Sequence, residues 1–141
     1  MYGFLKYNKG LIMGGLYAGV IIGLTGTALM DVWVIFLKRV FDIAPPNWAM
    51  VGRWVAHLKS GKVFHDDIAE ALAFSFENLF GWIFHYFVGF IYVVIFMLLV
   101  GKEWLSEPTF MPVWLYAIST VLVGWFLLHP GLGLGMALAK T

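Results

Sequence analysis

The chain contains no cysteine. That single absence excludes disulfides, thiolate metal sites, iron–sulfur clusters and a cysteine nucleophile, and it leaves the redox compartment open. Charge is scarce too. Only 12% of the 141 residues are Asp, Glu, Lys or Arg, against about 25% in soluble domains. Too few charges are present to cover a water-facing surface, and 62% of the residues are hydrophobic. The net charge of +1 offers no electrostatic footprint for nucleic acid. No G-x-S-x-G, H-E-x-x-H or Walker loop occurs, so the common hydrolase, zincin and nucleotide signatures are missing. No internal repeat of the kind many transporters carry is visible.

What is present is length and apolarity. Three segments, about 11–37, 76–100 and 111–139, are long enough to cross a bilayer, which takes about 20 residues. Lys6 and Lys9 precede the first, but its apolar run is too long for a signal peptide and no A-x-A site follows, so it reads as a retained helix. Pro130 should kink or end the third, because it has no N–H for the Phe126 carbonyl. The fold expected is all-α: a single membrane domain, 1–141, forming a polytopic bundle of three spans.

The only sizeable polar stretch, 38–75, separates the first two spans and reads as a structured excursion. Pro45-Pro46 closes the first unit. Asn47 is a good N-cap for a short amphipathic helix carrying Trp48, Val51, Val55 and Leu58, with Trp48 and Trp54 available to a headgroup boundary. A second helix is expected from Asp66 or Asp67 through Ile68, Ala71, Leu72 and Phe76, running into the second span. Lys and Arg number six on the side of this loop and three on the other. The positive-inside bias therefore puts the loop in the cytoplasm. Trp104 and Trp114 suit one interface; Trp33, Trp82 and Trp125 suit the other.

Small residues recur at four-residue spacing. Gly15, Gly19 and Gly23 mark the first span, with Gly26 close by; Gly81 and Gly89 flank His85 in the second. Such stripes let helix backbones approach closely, within the chain or in an oligomer. The ionisable residues follow their own pattern. Asp31, His85 and His129 lie at similar depth, Glu77 borders the same end, and the loop above adds Arg53, His57, His65, Asp66 and Asp67.

Two readings of that convergence stay open. These groups satisfy one another and cap helix ends, or Asp31, Arg53, His57, His65, Asp66, Glu77 and His85 line a ligand site. A metal version would use His57, His65, Asp66 and His85; a haem version would use His85 and His129. The cofactor is not specified by the sequence.

Several segments also carry a resemblance: Asp31, NWAMVGRWVAH at 47–57, GKVFH at 61–65, GWIFHY at 81–86 and HPGLG at 129–133. Together they resemble a family of small bacterial membrane proteins catalogued as domain of unknown function 2938. The resemblance implies a multi-pass protein of the bacterial inner membrane. It also implies glutamine as a common alternative to His129, and a further hydrophobic segment beyond Lys140-Thr141, which would make a fourth span. The lipid bilayer is the expected partner, together with a second copy or a larger membrane complex. The function expected first is an accessory or interaction subunit of a membrane assembly. A small-ligand, lipid or metal binding or transport protein comes second, and a metal-dependent membrane enzyme third.

Overall fold

The computed structural model describes the backbone of residues 2–140 and the side-chain surroundings of residue 14, residues 17–101 and residues 103–140. Every regular element among them is helical. Helix α1 spans Tyr2–Phe41, α2 spans Trp48–Leu58, α3 spans Glu77–Val100 and α4 spans Phe110–Val123. A π-turn, Gly124–Leu128, and a last α-turn, His129–Gly131, prolong α4. Tyr17–Phe41, Glu77–Val100 and Phe110–Gly131 are each apolar and long enough to cross a membrane, with 25, 24 and 22 residues. At about 1.5 Å per residue they reach roughly 33–38 Å, enough for a hydrocarbon core of about 30 Å.

The chain divides into two compact units. One holds the chain to Ile43 with Tyr86–Phe110; the other holds Ala44–His85 with the chain from Met111. In the first unit α1 packs on α3 through a ladder of small residues. Gly19 meets the Val93 side chain, and a Cβ on Gly23 would lie 3.2 Å from the Phe90 Cα. One turn on, buried Thr27 turns its hydroxyl onto the Gly23 carbonyl at 2.8 Å and packs directly on Gly89. The next turn brings Asp31, which accepts a hydrogen bond from the Tyr86 hydroxyl at 2.9 Å. Van der Waals contact drives this pairing, because lipid supplies no hydrophobic force between helices. Gly26 has nothing within contact distance, and Gly15 lies outside the residues whose surroundings are described.

Helix α1 stops beyond the expected residue 37. It runs on to Phe41, with Lys38 and Arg39 in its last turn, where cations suit the negative end of the helix dipole. Asp42 then adopts a left-handed φ of 54° and pairs with Lys38 at 2.6 Å. Pro45-Pro46 follows.

In the second unit α2 is built as the sequence suggests. The Asn47 side chain accepts from the Met50 amide at 3.3 Å, capping the helix. Part of its apolar face, with Trp54, turns inward and not toward a headgroup boundary. Val51 and Trp54 are buried with Ile68 and Leu132 in the core of this unit, flanked by Phe84 and Leu128. Trp54 donates its indole N–H to the Val63 carbonyl at 2.7 Å, which satisfies its polar edge inside that core.

The helix expected from Asp66 or Asp67 is a single 3-10 turn, Ile68–Glu70. Asp67 caps it by accepting from the Ala69 amide at 2.7 Å. Propagation stops because Arg53 takes the carbonyls of Ile68, Ala69 and Ala71, and Ala71 is extended. The third span ends at Gly131 and not near residue 139. The Leu134 amide bonds the His129 carbonyl and the Gly133 amide bonds the Pro130 carbonyl, a Schellman closure that needs the left-handed φ of +86° at Gly133. The GLGLG segment is therefore a helix stop. Its Gly133 also lies against the Asp66 backbone, 2.6 Å from the carbonyl carbon to an added Cβ.

Candidate functional site

The polar residues of the second unit are organised by one close helix crossing. A Cβ placed on Gly52 of α2 would strike the Glu77 carbonyl oxygen and lie 2.7 Å from the Gly81 amide nitrogen. Reciprocally, a Cβ on Gly81 would strike the Trp48 carbonyl oxygen. Two glycines thus set backbone against backbone. That proximity brings Arg53, the residue after Gly52, onto Glu77 at the start of α3.

Arg53 grips Glu77 with two parallel bonds, Nε to Oε2 and Nη2 to Oε1, both 2.9 Å. Such fork-to-fork pairing is the strong form of the Arg–carboxylate interaction. Nη1 serves the three loop carbonyls at 2.8–3.2 Å. Hydrogen bonding to Glu77 raises the guanidinium above its ordinary pKa. Glu77 also accepts weakly from the Phe74 amide at 3.4 Å, and its charge suits the positive N-terminal end of α3.

A second chain of bonds joins α2, the loop and the end of the third span. Buried His65 places Nδ1 3.0 Å from the Gly131 carbonyl, and its Nε2 is 3.0 Å from His57 Nδ1. The carbonyl only accepts, so His65 Nδ1 carries the proton, and a neutral His65 then accepts at Nε2. His57 therefore donates from Nδ1. This assignment follows from the acceptor at one end of the chain. His85 is buried differently: its ring stacks on Trp48 at 4.1 Å and meets Trp82 edge-on at 5.8 Å.

The candidate ligand residues are thus distributed as follows. Arg53 joins Glu77, and His57 joins His65. His85 packs among tryptophans. Asp66 is exposed, with its backbone on Gly133. Asp31 lies in the first unit with Tyr86. Among the described residues no three His, Asp or Glu side chains come together in a way that would hold a metal ion. The four metal candidates contribute the His57–His65 pair.

These segments all lie within the region that is related to other proteins. Residues 20–141 match the model of the family described as Protein of unknown function (DUF2938). The chain belongs to this family. No curated protein matches it, and no solved structure matches it. The family match covers α2, its glycine crossing, Arg53, Glu77 and the His57–His65 pair, and the second unit lies wholly within the matched region.

Three participants have weak signals in the sequence. Gly52 sits mid-helix, where glycine costs about 1 kcal/mol relative to alanine, and such a glycine points to close packing. Tyr86 looks like any interfacial aromatic until α1 is placed beside it. Thr27 continues the Gly19–Gly23 spacing by one more step.

Proposed function

We propose that this family member is an accessory subunit of a membrane assembly, one that contributes a folded helical surface and performs no chemistry of its own. One observation carries this reading. The polar side chains that would form a ligand site are engaged in the protein's own contacts, while α4, Phe110–Val123, has no buried residue. Arg53 is occupied by one carboxylate and three carbonyls, leaving little for an incoming anion. His65 is bonded at both nitrogens. A polar cluster this fully paired rigidifies a scaffold.

The lysine and arginine count supports an orientation with the 38–75 excursion in the cytoplasm, and the family resemblance supports the bacterial inner membrane. The assembly reading is tested by photo-crosslinking in native membranes. A benzoylphenylalanine replaces Ile118 on α4, or Leu98 on α3 as a second probe. One discrete cross-linked polypeptide from either position supports the proposal. Cross-links to lipid alone from both would overturn it.

A further inference from the structure

The third span changes hydrogen-bond period just before Pro130. The His129 amide bonds the Gly124 carbonyl, five residues back. The Trp125 carbonyl is therefore left without a donor of its own: the amide four residues on is engaged with Gly124, and Pro130, five residues on, has none. A carbonyl without a donor is unfavourable within an apolar span, where no bulk water replaces the missing amide.

The same turn holds a second unsatisfied atom. His129 Nδ1 is buried and has no hydrogen-bond partner in the protein. A helical side chain leans back over the turn that precedes it, which for His129 is the turn containing Trp125 and Phe126. The Schellman closure sets Leu134 opposite His129, in the positions that usually pack together and shield such a helix end. The buried His129 Nδ1 and the Trp125 carbonyl thus belong to one turn.

We propose that His129 Nδ1 and the Trp125 carbonyl bind one small hydrogen-bond donor, of the size of water or ammonium, wedged in the π-turn. With the proton on Nε2, both atoms accept, so the ligand must donate to both. An anion is excluded by two acceptors. A transition metal is disfavoured because no third His, Asp or Glu ligand joins His129 among the described residues. The donor completes the interrupted ladder and holds the π-turn open, which is how inserted groups act in helices. This site is separate from the Arg53 and His65 networks and does not depend on the assembly reading.

The test uses the full chain in phosphatidylcholine nanodiscs with 15N-labelled histidine. Magic-angle-spinning NMR measures magnetisation transfer from water to each ring nitrogen. His129 is assigned by loss of its signals in His129→Gln. Should that variant not fold, correlation to 13C-proline assigns it, since His129 is the one histidine followed by proline. Transfer to His129 Nδ1 that persists unchanged in ammonium chloride identifies water. A saturable shift of Nδ1 with ammonium identifies the cation. No transfer and no shift would overturn the site. Pro130→Ala supplies the missing amide and should cut the response by half or more; an undiminished response would remove the carbonyl from the site and refute the proposal.

Discussion

Gly52→Ala adds one methyl group at the place where two backbones meet. The new Cβ would strike the Glu77 carbonyl oxygen and sit 2.7 Å from the Glu77 carbonyl carbon. Neither atom belongs to a flexible side chain, so the start of α3 and the middle of α2 must part by roughly 1–1.5 Å to restore ordinary non-bonded contacts. Overpacking of this kind costs about 1–3 kcal/mol. The displacement falls on Glu77 itself and on the neighbour of Arg53, so at least one charge-assisted bond lengthens, at about 1.5–3 kcal/mol. Alanine's better helix propensity returns about 1 kcal/mol. The net expectation is a loss of about 1.5–5 kcal/mol. Reversible unfolding in mixed micelles, followed by the fluorescence of the seven tryptophans, measures it. Gly26→Ala is the control, because nothing lies within contact distance there; it should be neutral or slightly stabilising. A Gly52→Ala protein as stable as the control would refute the crossing.

Glu77→Gln leaves the Arg53 charge facing an amide and should cost about 2–3 kcal/mol in the same unfolding assay; an unchanged midpoint would mean the pair is solvated. Tyr86→Phe removes the hydroxyl that bonds Asp31 and should cost about 1–2 kcal/mol, and the loss should vanish in an Asp31→Ala background, which leaves the hydroxyl no acceptor, if the two act as a pair. Gly133→Ala forces a left-handed φ on a residue with a Cβ and pushes on Asp66, for about 1–3 kcal/mol; limited proteolysis after residue 133 should accelerate, and equal cleavage rates would contradict the Schellman closure.

Much of the architecture is legible because apolarity and length are sufficient causes of a membrane span. Asn47 announces α2 because its side chain can accept from the amide three residues on, and the observed cap does so. Elsewhere local pattern is overruled by distant partners. Ile68, Ala71 and Leu72 have helical spacing, yet Arg53 draws off the carbonyls a helix would use. Trp54 looks interfacial by residue type, yet the indole finds the Val63 carbonyl and the ring is buried. The apolar tail after Pro130 looks like more span, yet Gly133 turns the chain out of the helix. The Arg53–Glu77 pairing was not legible, because it depends on a close helix crossing that Gly52 and Gly81 permit.

The proposed role as a folded interaction subunit in the membrane is open to direct test. The most direct measurement is a native mass spectrum of the protein taken from its own membranes in mild detergent. The account predicts the 15.9 kDa chain together with a second polypeptide in fixed stoichiometry. A spectrum showing the chain alone, or the chain with only a metal ion or a small ligand, would contradict it.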